Sequence, residues 1–218
     1  MLHPVIKKYL DSGKGDFLVT GPPGTGKTRI MLDLIEYFIR KNDYNTSRIV
    51  VFCFNRRWAK ILREKTAESA GRSICEIRIT TFFSFCAELI ECKRFVEFIS
   101  GNFTGKIDKL KILTAPQQWK LLKDLLLEDN VKKDYPAAYK YMNTNKFVAR
   151  SFIQEVFDFI LRAQENLIEP DALAAGLYPF AGELLSEITG IFRKYKKELV
   201  KRDIYDYGRL LEDSVSIL

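Results

Sequence analysis

The sequence predicts an α/β fold in which a parallel sheet with a phosphate-binding loop carries a mainly helical subdomain. Three observations support this prediction. The segment from Gly21 to Thr28 reads G-P-P-G-T-G-K-T, which fits the spacing G-x-x-x-x-G-K-[ST]. Up to about residue 92, strand-like apolar runs alternate with helical segments, as in a parallel sheet. From about Arg94 to the C-terminus, apolar residues recur only at helical spacing.

The phosphate-binding loop lies in the context that its motif requires. Before it, Asp16 to Thr20 is a short apolar run that predicts a buried strand. After it, apolar residues recur at helical spacing with charged residues between them. The apolar positions of this predicted helix are Ile30, Met31, Leu34, Ile35, Phe38 and Ile39. The order strand, loop, helix indicates a P-loop NTPase.

Each residue type in the loop suits the binding of a nucleoside triphosphate. The glycines allow successive backbone N–H groups to converge on an anion, and the following helix N-terminus adds a partial positive charge. We expect Lys27 to reach the β- and γ-phosphates and the Thr28 hydroxyl to bind Mg²⁺. The predicted phosphate-binding residues are Gly21, Pro22, Pro23, Gly24, Thr25, Gly26, Lys27 and Thr28.

Composition excludes several classes of protein. No run of about 18 apolar residues and no signal-peptide layout is present, so we expect a cytoplasmic protein without a membrane span. The four cysteines form no C-x-x-C pair and the only histidine is His3, which argues against zinc fingers and histidine-based catalysis. Residues 1–100 carry 17 Lys and Arg against 11 Asp and Glu. This basic excess indicates a polyanionic partner near the nucleotide site, although ordinary solvated lysines would give the same count.

The next predicted strand, Arg48 to Phe54, is a continuous apolar run typical of a strand buried on both faces. Asn55 follows it as a good N-cap residue for a helix. That helix begins with Arg56 and Arg57, although cations in a first turn oppose the helix macrodipole. A bound phosphate would explain the pair, and a solvated helix end is the alternative.

A third strand is predicted from Glu76 to Thr81, and it leads directly into Phe82, Phe83, Ser84 and Phe85. Phenylalanines just past a strand end could stack on nucleic-acid bases or belong to the core. For Phe85 we favour the core.

Three apolar stripes at helical spacing predict the main helices of the second half of the chain. They comprise Trp119, Leu122, Leu125 and Leu126; Phe152, Val156, Phe159, Ile160 and Ala163; and Leu184, Ile188, Ile191, Tyr195 and Leu199.

Four segments together resemble one family. Gly26 to Ile30 is similar to G-K-T-R-V, and Val50 to Leu62 is placed like T-F-T-N-x-A-A, with Asn55 at the position of its Asn. Thr80 to Cys86 is similar to T-x-H-S followed by a helix, and Tyr195 to Leu211 to Y-x-x-x-L…D-F-x-x-L-L. In this order and spacing they resemble the UvrD/Rep/PcrA group of superfamily 1 DNA helicases, which includes RecB and AddA relatives.

The resemblance implies the first RecA-like motor domain of an ATP-dependent DNA helicase or translocase. Residues 1–92 would be the first part of the RecA-like domain, 93–203 the inserted helical subdomain, and 204–218 the return towards the core. ATP and Mg²⁺ would be its cofactors, and single-stranded DNA and a second RecA-like domain its partners. The oligomeric state is left open.

The resemblance also implies roles for individual residues. Lys27 and Thr28 would be catalytic, with Thr28 holding Mg²⁺, and Arg29 would pack beside the adenine. Asn55, Thr81, Phe82 and Ser84 would contact single-stranded DNA. With Arg56, Arg57 and Phe83 added, these are the seven residues that we expect to contact DNA.

Two features of the family pattern have no counterpart in this sequence. Residues 1–20 contain no glutamine, which the family uses to read adenine. No strand ending in Asp-Glu, the Walker B acidic pair, follows Leu211. We therefore expect an incomplete motor core, the N-terminal fragment of a longer helicase, which binds nucleotide without hydrolysing it efficiently. The alternatives are an AAA-type ATPase that remodels proteins and a stand-alone nucleotide-gated binding module.

Overall fold

The chain divides into two compact units, Met1–Phe85 and Cys86–Leu218. The computed structural model describes residues 6–8, 16, 18–40, 49–70, 77–102, 109–128, 131–172 and 182–218. The boundary between the units falls within one helix, three residues after its start. The predicted domain limits at residues 92 and 203 stay predictions.

The first unit is a small α/β arrangement. Its elements are α1 (Lys27–Arg40), β1 (Val50–Cys53), α2 (Arg56–Ala70), β2 (Arg78–Thr81) and the start of α3 (Phe82–Ile99). The two strands pair in parallel, from Val50 opposite Arg78 to Cys53 opposite Thr81. The α/β class with a parallel sheet is therefore confirmed, and a wider RecA-like sheet stays a prediction.

The core of the first unit lies on one face of this sheet. Because side chains alternate along a strand, Val51 and Cys53 of β1 pack with Ile35 of α1 and Leu62 of α2. Phe52 points to the other face and is 46% exposed. The prediction that β1 is buried on both faces is wrong, because Val50 and Phe52, on the face opposite Val51 and Cys53, are 36% and 46% exposed.

The apolar run before the phosphate-binding loop is not a strand where the structure describes it. Asp16 and residues 18–20 have no regular structure, and Leu18 is 90% exposed. A strand is held by hydrogen bonds to a neighbouring strand, and the sheet of the described residues contains only β1 and β2. The predicted buried strand from Asp16 to Thr20 is therefore wrong for these residues; Phe17 lies outside the described ones.

The second unit is mainly helical. After the remainder of α3 its helices are α4 (Ala115–Leu126), α5 (Val131–Asp134), α6 (Pro136–Met142), α7 (Lys146–Glu165), α8 (Pro170–Ala172), α9 (Gly182–Lys201) and α10 (Tyr207–Ile217). None of the helices in the described ranges is long and apolar enough to cross a membrane.

The three predicted apolar stripes form the core of this second unit. They lie on α4, α7 and α9, and most of their residues are buried in a single cluster. Leu122 and Leu199 have no exposed surface. Asn145, directly before α7, caps that helix by accepting hydrogen bonds from the backbone N–H groups of Phe147 and Val148. The helical periodicity of the sequence is thus confirmed in all three segments.

Candidate nucleotide and nucleic-acid sites

The phosphate-binding loop needs glycine at specific positions. Gly24 and Gly26 both have φ of +85°, in the left-handed region that L side chains rarely adopt. At Gly21 an added Cβ would lie only 2.7 Å from Oγ1 of Thr25. The loop ends where α1 begins, at Lys27. The motif residues therefore form a tight turn that opens a helix, as the sequence predicts.

The Lys27 side chain folds back into this turn. Its Nζ donates hydrogen bonds to the carbonyl oxygen of Gly21 at 2.5 Å and to that of Pro22 at 2.7 Å. The Thr25 hydroxyl also donates to the Pro22 carbonyl, at 2.8 Å. A phosphate that enters the turn would compete with two carbonyl oxygens for the ammonium group. This exchange favours phosphate, because hydrogen bonds between ions are stronger than those to neutral oxygens.

The donors around the turn fit a magnesium nucleotide. The 14-residue helix α1 has no acidic residue in its first turn, and Lys27, Thr28 and Arg29 are exposed. No group of three His, Cys, Asp or Glu side chains in the described residues could hold a metal ion. Mg²⁺ commonly takes most of its ligands from phosphates and water. Thr28 would thus supply a single protein ligand to an ion held mainly by the nucleotide.

Arg29, expected beside the adenine, interacts along its own helix. Its Nε lies 3.1 Å from Oδ1 of Asp33, one turn further on. The Arg29 side chain is 74% exposed, so the pair contributes little to stability and leaves the guanidinium free to move. Its role at the base stays a prediction.

The predicted DNA contacts follow the two parallel strands at the same edge of the sheet. Cys53 and Thr81 end β1 and β2 and lie opposite each other. Asn55 caps α2, since its Oδ1 accepts from the backbone N–H of Trp58 at 2.9 Å. This confirms the predicted N-cap. The carboxyl edge of a parallel sheet is where α/β folds commonly bind ligands.

Thr81 and Ser84 hold the start of the next helix. The Thr81 hydroxyl donates to Oγ of Ser84 at 2.8 Å and accepts from the Ser84 backbone N–H at 3.3 Å. The strand edge thus presents two adjacent helix N-termini, those of α2 and α3. At the first of these, Arg56 and Arg57 are exposed, and neither forms an ion pair with a described residue.

Four phenylalanines form a contiguous cluster beside these helix ends, which we call the phenylalanine patch: Phe52, Phe82, Phe83 and Phe85. The ring of Phe52 lies 5.6 Å from that of Phe82 and 5.2 Å from that of Phe85, edge to face. Phe82 and Phe83 are 6.0 Å apart. Phe52, Phe82 and Phe83 are between 40 and 48% exposed. The patch can therefore offer ring surface to a flat ligand.

Phe52 and Phe54 are site candidates that were not among the predicted DNA contacts. Phe54 is 99% exposed directly after β1, and Phe52 joins the phenylalanine patch from the strand itself. Between them, Cys53 points to the core, where burial raises the pKa of its thiol and Arg63 offsets the effect in part. Cys53 therefore stays protonated at neutral pH.

Among the described residues, the strand-edge residues contact one another directly, whereas the phosphate-binding loop is linked to them only through the packing of α1. All eight loop residues are exposed. The packing that links them to the strands runs through α1, whose Ile35 contacts the cluster formed by Ala59, Leu62, Ile77 and Ile79. The nucleotide and DNA roles of the site residues remain predictions.

Comparison with known proteins finds a family and several relatives. A family model described as the UvrD/REP helicase N-terminal domain matches residues 2–218. A probable DNA helicase II homolog of Mycoplasma capricolum is 25% identical over 187 residues, 86% of this chain and 23% of that protein. The ATP-dependent DNA helicase PcrA of Bacillus subtilis is 23% identical over 216 residues, 99% of this chain and 26% of that protein. PcrA of Staphylococcus epidermidis is 20% identical over 204 residues, which cover 94% of this chain and 25% of that protein.

Proposed function

This chain belongs to the UvrD/REP helicase N-terminal domain family, and we propose from this that it is the ATP-binding, DNA-contacting part of an ATP-dependent DNA helicase. The chain spans about a quarter of the length of the curated relatives that it matches. Those relatives are named as DNA helicases. In a whole protein of this kind, a second RecA-like domain would be the partner that completes the motor.

The observation that carries the nucleotide proposal is the phosphate-binding loop. Its two left-handed glycines bring the chain to the N-terminus of α1, and the Lys27 ammonium already lies inside the turn. We propose that Lys27 neutralises charge on the β- and γ-phosphates and that the Thr28 hydroxyl holds Mg²⁺. Bound Mg²⁺ would supply further stabilisation of phosphate charge.

We further propose that residues 1–218 hydrolyse ATP poorly. Efficient hydrolysis needs a carboxylate that orients the attacking water. Among the described residues, β1 leads into Phe54 and Asn55 and β2 into Phe82 and Phe83, so neither strand presents an acidic pair at its carboxyl end. The AAA-type alternative expects such a pair within this span and has no comparable observation in its favour.

Single-stranded DNA is the proposed ligand of the strand edge. Arg56 and Arg57 offer backbone phosphates two exposed cations that form no ion pair with a described residue, and the phenylalanine patch offers rings on which bases can stack. The Oδ1 of Asn55 already serves as a helix cap, so its side-chain amide nitrogen is the atom left to contact DNA. The cations and the patch would thus supply most of the affinity.

Reversing the arginine charges tests this proposal. In the variant Arg56→Glu/Arg57→Glu, two acids replace cations at the N-terminus of α2, which should stabilise the helix by about 0.3–1 kcal/mol per residue. Affinity for single-stranded DNA should nevertheless fall by about tenfold or more, because two phosphate contacts are lost. Fluorescence anisotropy with a labelled oligothymidylate measures the affinity, and urea denaturation measures the stability.

The matched control is Lys7→Glu/Lys8→Glu, which changes the net charge equally at two other exposed lysines. We expect it to retain most of the DNA affinity. Equal losses in the two variants would mean that only the net charge of the protein matters, and the strand edge would not be the DNA site.

A further inference from the structure

We infer that a cleft in the helical unit is a docking site for an acidic peptide segment that carries an apolar anchor. The cleft encloses about 660 Å³ between α4, the turn after α6 and the first half of α7. It lies within the second unit and shares no residue with the phosphate-binding loop or the strand edge. Its lining is therefore distinct from the residues of the proposed nucleotide and DNA sites.

Three cations converge on this cleft. Lys123 comes from α4, and Lys146 and Arg150 come from the first two turns of α7. Lys146 and Arg150 are four residues apart and so lie on the same face of α7. None of the three forms an ion pair with a described carboxylate, and no described acidic residue lines the cleft. Like charges at this spacing on one helix face repel each other, so an anionic ligand would relieve an unfavourable arrangement of Lys146 and Arg150.

The floor of the cleft is apolar. Ile153 is 3% exposed, and Trp119 and Met142 are half-buried beside it. Leu127, at the edge, is 59% exposed. Apolar surface of this kind gains free energy when a ligand covers it, at about 25 cal/mol per Å². A simple anion would leave this surface in water, so the cleft suits a ligand that has both carboxylates and an apolar side chain.

The same residues favour a peptide over a nucleic acid. Nucleic-acid bases need an open aromatic face on which to stack. The ammonium of Lys123 lies 5.8 Å from the centroid of the Trp119 ring and covers one face of it. A peptide can instead insert one apolar side chain into the concave floor while its carboxylates meet the cations at the rim. The cleft therefore suits a short acidic segment of a partner protein.

The test is a titration of the full 218-residue chain with a fluorescein-labelled peptide of sequence Gly-Ser-Asp-Glu-Asp-Glu-Leu-Phe, followed by anisotropy. Two further peptides serve as ligand controls. In one, amides replace the four side-chain carboxylates; in the other, serines replace the Leu and Phe. We expect only the acidic peptide with its apolar end to bind. The amide peptide offers no side-chain carboxylates to the rim cations, and the serine peptide offers no apolar side chain to the floor.

Variants locate the binding in the cleft. Lys146→Glu/Arg150→Glu should weaken the acidic peptide at least about tenfold, since the rim would then repel carboxylates. Leu127→Asn, at an exposed position of the apolar edge, should also weaken it. The matched control Lys133→Glu/Lys197→Glu reverses two exposed lysines that do not line the cleft, and it should change the affinity less than about twofold.

Three results would overturn the inference. The first is equal binding of the acidic peptide by the rim variant and its control. The second is equal binding, by the wild-type chain, of the peptide in which amides replace the side-chain carboxylates. The third is a wild-type chain that binds none of the peptides, together with a rim variant that has lost binding of single-stranded DNA. That result would assign the cleft to nucleic acid. Circular dichroism of each variant checks that the helices remain folded, and Leu127→Asn keeps the test decisive if the rim variant is unfolded.

Discussion

Asn55 connects the strand edge with the stability of α2 through one hydrogen bond. Its Oδ1 accepts from the backbone N–H of Trp58 at 2.9 Å, while the residue itself is exposed. The bond satisfies one of the N–H groups that lack a partner in the first turn of a helix. The cap and the proposed DNA contact therefore use different atoms of the same side chain, and substitution can separate the two roles.

We expect Asn55→Ala to lower the free energy of unfolding of the first unit by about 1 kcal/mol, through loss of the cap. Asn55→Asp keeps an acceptor at the same place, so the stability should be retained. Its negative charge should nevertheless weaken binding of single-stranded DNA. Urea unfolding followed by Trp58 fluorescence measures the first effect, in a Trp119→Phe background that leaves Trp58 as the only tryptophan. Anisotropy with labelled DNA measures the second.

Asn55→Ser is the control for this pair, because serine caps helices well without adding charge. It should keep both the stability and most of the DNA affinity. If Asn55→Asp binds DNA as tightly as the wild-type chain, Asn55 has only a structural role.

At the scale of elements, the start of α10 depends on a buried polar network. Asp206 has no exposed surface. It accepts from the Arg209 backbone N–H at 2.7 Å and from Nε2 of Gln164 on α7 at 3.0 Å. The pKa of Tyr195 on α9 lies well above its ordinary value. Burial is the main cause, and the charge of Asp206 and a hydrogen bond to it add to the effect. Three helices are thus tied together by one carboxylate.

Gly208 allows α10 to approach this network closely. A Cβ at this position would overlap the side chain of Gln164. We expect Gly208→Ala to destabilise the second unit by about 1–3 kcal/mol, because the overlap forces the Gln164 side chain away from Asp206. Urea unfolding followed by Trp119 fluorescence in a Trp58→Phe background would measure the loss. Val215→Ala, at an exposed position of the same helix, should change the stability by less than about 0.5 kcal/mol, and an equal effect at both positions would contradict the account.

These residues also explain part of the sequence resemblance. The segment from Tyr195 to Leu211 is similar to a family motif, and in this structure its Tyr and Asp interact inside the helical unit. Leu199 and Leu210 have no exposed surface. The motif residues described here therefore serve packing and helix capping.

For the whole molecule, the sequence predicted the helices better than the sheet. The apolar stripes of α4, α7 and α9 could be identified because a helix buries one face along its own length, which gives a local period. Burial of a strand depends on what lies beside it and on both of its faces. The sequence around Phe52 reads as a continuous apolar run, so it could not show that one face would remain exposed.

The candidate site was predictable to a similar degree. The phosphate-binding loop could be identified because its glycine positions are fixed by backbone conformation, as at Gly24 and Gly26. The cap at Asn55 follows from local chemistry as well. The phenylalanine patch could be predicted only in part, since Phe52 joins Phe82 and Phe85 through the pairing of β1 with β2. Such contacts between distant residues leave no local pattern.

The central claim is that these residues bind ATP through the phosphate-binding loop and lack efficient hydrolysis. The measurement that tests it most directly is ATP turnover by the 218-residue chain, with and without single-stranded DNA, together with binding of a fluorescent ATP analogue in the presence of Mg²⁺. Lys27→Ala removes the ammonium group inside the loop, and Lys8→Ala is the control at an exposed lysine.

We predict that the wild-type chain and Lys8→Ala bind the analogue and show no DNA-stimulated turnover. Lys27→Ala should bind about 10- to 100-fold more weakly, because a hydrogen bond to a charged group contributes about 1.5–3 kcal/mol. Equal binding by Lys27→Ala would contradict the assignment of the loop. Turnover that depends on Lys27 would contradict the second half of the claim, and it would mean that a catalytic carboxylate lies within these residues.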